Sequence, residues 1–227
     1  KVELEKFKRM KSEELIELKT KFFSTITHEL KTPLTLIKTP IERMMTEEED
    51  KGKLKNLDLI NRNANRLIKL VNQILDIRKF EKGIEKLEIQ EYDIVRFCRT
   101  LFNQFEQEAN HRQIHLYFES NIDALLIWFD LDKLEKVVIN LLSNAYKFTP
   151  DGGDIKLRIK FNQKTSKLRI SIKDSGVGIK EEDQGKVFDR FSNINSKNYT
   201  GQGGSGIGLS LVKELVNLHK GEIRFKS

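Results

Sequence analysis

Apolar residues recur at helical spacing over the first third of the chain, and they predict two long amphipathic helices. In the first, from Phe22 to Met45, they fall three or four positions apart, as in one buried stripe. In the second they repeat every seven residues, like a coiled-coil seam that ends at the polar Arg78. The stripe residues are Phe23, Ile26, Leu30, Leu34, Ile37, Ile41 and Met44 in the first helix, and Leu57, Ile60, Ala64, Leu67, Val71 and Ile74 in the second.

The segment between these stripes, 46–52, is acidic and polar and ends in glycine, which is typical of a loop. Two helices joined by a short loop form an antiparallel hairpin. Each stripe is too long for one partner helix to cover, so we predict that two copies associate as a four-helix bundle. Pro33 predicts a kink in the first helix, and Pro40 predicts a second irregularity.

After residue 84 the pattern changes to short alternating segments mixed with helical ones. This order of elements predicts an α+β sandwich with helices on one face of a sheet. The strands are expected at 87–89, 114–118, 125–129, 155–161 and 168–172, and the helices at 92–109, 132–148 and 207–219. Asp130 stands where it can cap the helix that follows it.

Residue His28 is the first candidate for chemistry. On a helical wheel it lies about 140° from the centre of the apolar stripe, and Thr32 lies within about 40° of it. A carboxylate beside the ring, that of Glu29, can accept a proton and make the other ring nitrogen a better nucleophile. The simpler alternative is a surface or capping histidine.

A second candidate site follows from the helix at 132–148. Asn140, Asn144 and Lys147 share one face within about 60°, and they offer amide oxygens for a hard cation and an ammonium group for phosphate. Taken alone, such a row is more often a solvated face. Two glycine-rich segments, at 174–178 directly after a strand and at 201–209 before a helix, favour a nucleotide, because exposed amides at a helix start bind phosphate. Neither segment has the lysine of a P-loop.

Charge and composition narrow these possibilities. The 227-residue chain carries a net charge of +7, but its Lys and Arg are interleaved with acidic residues and form no basic stripe, so direct nucleic-acid binding is not expected. The single cysteine, Cys98, excludes an internal disulfide and is expected to be buried. No apolar run is long enough to cross a membrane and the start is not a signal peptide, so any membrane anchor is expected to lie in segments outside these residues.

The residues at 22–34, F-F-S-T-I-T-H-E-L-K-T-P-L, resemble the phosphoacceptor H-box of sensor histidine kinases, and their close form is similar to hybrid sensors of the Bacteroides type. Four later segments resemble, in family order, the N-box, first glycine box, F-box and second glycine box of the ATP-binding domain of these kinases, the GHKL or Bergerat fold. They read N-L-L-S-N-A-Y-K-F-T at 140–149, D-S-G-V-G at 174–178, F-D-R-F at 188–191 and G-S-G-I-G-L at 204–209.

The resemblance implies an ATP-dependent protein histidine kinase that uses Mg²⁺. His28 is then the phosphoacceptor, Glu29 its general base, and Thr32 a residue linked to phosphatase action. The implied metal ligand is Asn144, helped by Asn140. The other implied ATP contacts are Tyr146 and Lys147 with ribose or phosphates, Asp174 with adenine, and Gly176, Gly178, Phe188, Phe191, Gly204, Gly206, Gly208 and Leu209 around them, with 189–203 as a lid.

The resemblance also implies a domain order and partners. Residues 1–80 would be the dimerisation and phosphotransfer domain, with an incoming signalling helix at 1–20, a hinge at 81–84, and the catalytic domain at 85–227 without its last strand. A homodimer would pass the phosphoryl group to an aspartate of a response-regulator receiver domain, separate or in the same polypeptide. The expected setting is the cytoplasmic part of a bacterial sensor anchored in the inner membrane.

Two other functions are weighed against this one. A pseudokinase would hold ATP only as a structural ligand, although every matched position is filled. A GHKL ATPase of the chaperone or mismatch-repair kind would need a glutamate base where this chain has Asn140.

Overall fold

A computed structural model describes residues 30, 34–46, 50–81, 86–189, 192 and 206–227. The chain divides into two compact units, Lys1–Glu85 and Lys86–Ser227. In the described part, none of the helices has the length and apolar character needed to cross a bilayer. His28, Glu29, Thr32, the Pro33 kink and the helix expected at 1–20 lie outside the described residues.

In the described part of the first unit, residues 34–46 are helical (α1) and a second helix, α2, spans Lys51–Glu81. Two residues predicted to lie in the loop are helical instead, since Thr46 belongs to α1 and Gly52 lies in the first turn of α2. The Asp50 carboxylate caps that turn by accepting bonds from the N–H groups of Gly52 (2.7 Å) and Lys53 (3.1 Å). The prediction of an irregularity at Pro40 is wrong, because α1 is continuous through this residue.

The apolar stripes of this unit are only partly covered. Ile41, Ala64 and Val71 are buried, with 5–7% of their surface exposed. By contrast, about half of the surface of five other stripe residues is exposed, namely Leu30, Ile37, Met44, Ile60 and Leu67. The seven-residue seam of α2 therefore has alternate positions buried and exposed within one copy.

The second unit is the predicted α+β sandwich. Its elements are β1 Gln90–Asp93, α3 Ile94–Asn103, α4 Glu106–His111, β2 His115–Ser120, β3 Leu126–Phe129, α5 Leu131–Phe148, β4 Asp154–Asn162, β5 Lys167–Asp174, α6 Glu181–Gln184 and α7 Gly208–Leu218. Strand β4 lies between β2, which is parallel to it, and β5, which is antiparallel, while β1 and β3 form a separate antiparallel pair. Residues 221–227 have no regular secondary structure.

The core of the sandwich follows from the alternation along β4. Ile155, Leu157 and Ile159 are at most 1% exposed, and the Lys156 and Arg158 side chains between them are on the opposite, solvated face. Helices α3 and α5 cover the apolar face, and α5 also packs against α7 and β5. Cys98 is fully buried in this core, as predicted, and burial together with the charge of Asp93 raises its thiol pKa to about 12.

Two boundaries at the start of this unit differ from the prediction. The strand expected at 87–89 begins only at Gln90, because its partner β3 ends at Phe129, opposite Gln90, and Asp130 then turns into α5. The single helix expected at 92–109 is two helices. Asp93 caps α3 by accepting from the Val95 N–H at 3.0 Å, so no helix begins before Ile94. A tight turn at Phe105 then separates α3 from α4.

Candidate functional site

Helix α5 supports the predicted row of polar residues. Its buried side chains, Val137, Val138, Leu142 and Ala145, hold one face against the core. Asn140, Asn144 and Lys147 lie on another face and are half-buried. The helical spacing in the sequence thus predicted correctly that these three residues share a surface, and the core packing fixes the surface they form.

The carboxyl end of α5 is held by one arginine from the loop before β2. Arg112 donates to the backbone carbonyls of Tyr146 and Thr149, both at 2.8 Å, and its Nε donates to the Asp151 carboxylate at 2.7 Å. Its guanidinium also lies 4.9 Å from the centre of the Tyr146 ring. A planar fork is needed to reach these acceptors together. Arg112 therefore fixes the turn that contains Lys147 and Phe148.

Replacing Arg112 with lysine is expected to destabilise this unit, because one ammonium cannot satisfy both carbonyls and the carboxylate. We expect the free energy of unfolding to fall by about 1–3 kcal/mol, measured by urea denaturation. Arg169→Lys, on the exposed side of β5, is the matched control and should change little. Equal stabilities for the two variants would contradict this account of Arg112.

The first glycine segment lies directly against this end of α5. Asp174 ends β5, pairs in register with the buried Ile155, and accepts a bond from the Gly176 N–H at 2.9 Å. A Cβ atom on Gly176 would lie 2.7 Å from the Phe148 carbonyl oxygen, so only glycine permits this approach. This contact places the segment that carries Asp174 beside the end of α5, the helix that carries Asn144 and Lys147.

The described part of the second glycine segment, 206–209, lies farther back along the same helix, where Asn140 is next to Gly208 at the start of α7. The Asn140 Nδ2 donates to the Lys136 carbonyl at 2.7 Å, and its Oδ1 would be 3.0 Å from a Cβ on Gly208. Gly206 has φ of 67°, a conformation that favours glycine, and Gly208 begins α7. The start of α7, where the first N–H groups of a helix have no partner within that helix, therefore lies beside Asn140 of α5.

Three of the remaining predicted residues lie around these segments. Gly178 has φ of 68°, and a Cβ there would be 2.9 Å from the Ser227 hydroxyl. The Phe188 ring packs against Phe225, with ring centres 5.8 Å apart, and lies 5.7 Å from the Lys213 ammonium of α7. Leu209 is half-buried in the first turn of α7. Phe191, Gly204 and most of the lid expected at 189–203 lie outside the described residues.

Tyr146 does not share the polar face. Its hydroxyl donates to the Glu108 carbonyl at 3.1 Å, and its ring packs near Phe105 and Arg112. Phe148, which the sequence analysis passed over, lies one turn after Asn144 on the same face, with its ring centre 4.8 Å from the Lys147 ammonium. The i+4 spacing from Asn144 was the signal that could have identified it.

The chemistry of the row suits a magnesium nucleotide better than a free metal ion. Among the described residues, no group of three or more His, Cys, Asp or Glu side chains could hold a metal. Mg²⁺ is commonly held by one or two protein oxygens together with substrate phosphates. The amide oxygens of Asn140 and Asn144 offer that kind of small donor set.

Two family models match successive parts of the chain. The family model of the His Kinase A (phospho-acceptor) domain matches residues 18–83. The model of the histidine kinase-, DNA gyrase B- and HSP90-like ATPases matches residues 129–227. Histidine kinase P4 of Formosa agariphila is 40% identical over 230 residues, which cover 99% of this chain. The chain spans 16% of the length of that relative.

Two solved structures are similar to the chain. Full-length ShkA in complex with AMPPNP has a TM-score of 0.71 at 21% identity, which shows a shared fold; the match covers 86% of this chain and 40% of that one. The histidine kinase ThkA in complex with the response regulator TrrA has a TM-score of 0.58 at 28% identity, covering 87% and 54%.

Proposed function

Because the chain belongs to the histidine kinase family, with a phosphoacceptor domain followed by an ATPase-type domain, we propose that it phosphorylates its own His28 from ATP. The observation that carries the ATP site is the pair of close glycine contacts. Gly176 lies against the Phe148 carbonyl and Gly208 against the Asn140 side chain. Both contacts are made with α5, the helix that bears the amides of Asn140 and Asn144 and the ammonium of Lys147.

The proposed roles at this site follow from the side-chain chemistry. Asp174 accepts a bond from the adenine amine, the Phe148 ring gives the nucleotide an apolar contact, and the amides at the start of α7 hold phosphate. Lys147 lies beside the phosphates. Asn144, helped by Asn140, would hold Mg²⁺, which neutralises phosphate charge when bound. A direct role for Tyr146 is not part of the proposal, because its hydroxyl and ring are engaged with α4 and Arg112.

The transfer itself is an in-line displacement on the γ-phosphorus. A ring nitrogen of His28 forms the new P–N bond while the bond to the ADP oxygen breaks, and Glu29 takes the ring proton. Positioning by the ATP site supplies most of the rate. In the phosphatase reaction, Thr32 would orient a water molecule that hydrolyses the aspartyl phosphate of the receiver domain.

The partners are also proposals. A homodimer is supported by the half-exposed Leu30, Ile37, Met44, Ile60 and Leu67, which a second hairpin would cover. A receiver domain that takes the phosphoryl group onto aspartate is supported by the ThkA–TrrA complex. The same proposal includes the domain boundaries at 80 and 85. It also includes a cytoplasmic setting, with a membrane anchor in other segments of a longer protein.

The test is incubation with γ-labelled ATP and Mg²⁺, followed by acid and alkali treatment of the labelled protein. For magnesium-dependent phosphohistidine, we expect label that is lost in acid and stable in alkali. No label should form when EDTA is present during the incubation. ATP binding without any label would contradict the transfer and favour a nucleotide-binding module. Release of free phosphate without phosphoprotein would favour an ATPase.

A further inference from the structure

The Asp130 carboxylate joins two parts of the second unit that are 42 residues apart in sequence. Its Oδ1 accepts from the Lys133 N–H at 3.0 Å and so caps α5. Its Oδ2 accepts from the Glu88 N–H at 2.8 Å and from the Lys133 ammonium at 2.8 Å. Asp130 is only 2% exposed, so these donors replace water around a buried charge.

The charge of this group is maintained by its partners. Burial acts to raise the Asp130 pKa, but the bonds from the Lys133 side chain and from the Glu88 and Lys133 backbone outweigh it and lower the pKa below its ordinary value. The carboxylate is therefore ionised at neutral pH, and hydrogen bonds to an ionised acceptor are the strong ones. Both oxygens accept hydrogen bonds: Oδ1 caps the helix, and Oδ2 is shared between the Lys133 ammonium and the segment before β1.

That segment is the chain that leaves the proposed hinge. Glu88 lies four residues beyond the end of the hinge predicted at 81–84, and two residues later β1 pairs with β3 from Gln90 opposite Phe129. Since Asp130 is the next residue after Phe129, the Glu88 bond extends this attachment to the start of α5. Helix α5 is anchored by four buried side chains, and it carries Asn140 and Asn144 about 15 and 21 Å from its start.

We propose that Asp130 is a positioning residue: its bond to the Glu88 N–H couples the chain leaving the hinge to the nucleotide-binding helix and so sets how bound ATP is presented for transfer. The inference rests on the proposed kinase function. A simple capping role would need only the bond to the Lys133 N–H. That role does not explain why the second carboxylate oxygen of Asp130 accepts a bond from the Glu88 N–H.

The first test removes the donor and leaves Asp130 intact. Glu88→Pro has no backbone N–H, whereas Glu88→Ala keeps it and is the matched control. At saturating ATP, we expect Glu88→Pro to slow single-turnover phosphorylation about tenfold, since small misplacements cost rates of this order. The affinity for a fluorescent ATP analogue should stay within about twofold of the wild-type value. Glu88→Ala should match the wild type in both measurements.

The second test changes the acceptor. Asp130→Asn keeps an oxygen for the cap but directs an amide donor at Glu88, and Asp132→Asn, in the first turn of the same helix, is its control. The same loss of rate is expected for Asp130→Asn. The double variant Glu88→Pro/Asp130→Asn should be no slower than Asp130→Asn alone, because both changes remove the bond from the Glu88 N–H and only Asp130→Asn also removes the bond from the Lys133 ammonium.

Three results would overturn the proposal. The first is an unchanged rate in Glu88→Pro, and the second is full additivity in the double variant. The third comes from amide hydrogen exchange over residues 131–148, where Glu88→Pro is expected to increase exchange in the first turns of α5. Unchanged exchange would reject the coupling even if the wild-type protein showed no phosphorylation, an outcome that would separately reject the kinase function.

Discussion

His28→Gln is expected to abolish labelling of the protein by γ-labelled ATP while leaving ATP binding unchanged. Glutamine is polar and of similar reach, but its amide nitrogen is not a nucleophile toward phosphorus, so no P–N bond forms. The proposed nucleotide site is built from α5, the Asp174–Gly178 segment and the start of α7, all of which lie in the unit Lys86–Ser227. The measurement is label per protein beside the dissociation constant of a fluorescent ATP analogue.

The control for this prediction is a second histidine in the same chain. His111 is exposed at the end of α4, so His111→Gln makes the same chemical change away from the H-box and should label like the wild type. Label that persists in His28→Gln would refute the assignment of the phosphoacceptor. Loss of ATP affinity in His28→Gln would mean that the variant reports on nucleotide binding rather than on transfer.

The periodic parts of the fold were predictable from the sequence because the burial of each residue follows from its position within a single strand or helix. Alternation along 155–161 predicted a strand, and the alternate residues Ile155, Leu157 and Ile159 are the most deeply buried residues of β4. Helical spacing placed Asn140, Asn144 and Lys147 on one face of α5 in the same way. Asp130 was identified as a cap from its position alone, and its bond to the Lys133 N–H confirms it.

What the sequence did not predict depends on a partner far along the chain. The start of β1 is set by where β3 ends, and no local pattern at 87–89 reports that end. Tyr146 and Phe148 are two residues apart in α5, and the partners that engage Tyr146 are distant in sequence: the Glu108 carbonyl lies 38 residues before it and Arg112 lies 34 residues before it. The glycine motifs indicated close approach, but not that Gly176 meets the backbone at Phe148 and Gly208 a side chain at Asn140.

That last distinction leads to an ordered prediction for the glycines, in which Gly176→Ala has the larger effect. A Cβ there would lie 2.7 Å from the Phe148 carbonyl oxygen and 3.0 Å from its carbon, and backbone atoms cannot rotate away. The loop must withdraw from α5, which moves Asp174 away from Lys147. We expect ATP affinity to fall at least about tenfold, with the free energy of unfolding lower by about 1–3 kcal/mol, as for overpacking.

Two further glycine variants serve as comparisons for Gly176→Ala. A Cβ on Gly208 would meet the Asn140 Oδ1 at 3.0 Å, a side-chain atom that can turn aside, so Gly208→Ala should weaken ATP binding less than Gly176→Ala does. Gly185 has φ of −63° and nothing within 4 Å of its built Cβ, so Gly185→Ala should leave affinity and stability unchanged. Titration of the three variants with the fluorescent ATP analogue gives the order directly. Wild-type affinity in Gly176→Ala would show that the approach of this loop to α5 is not part of the nucleotide site, and the assignment of Asp174 to adenine would then lose its structural support.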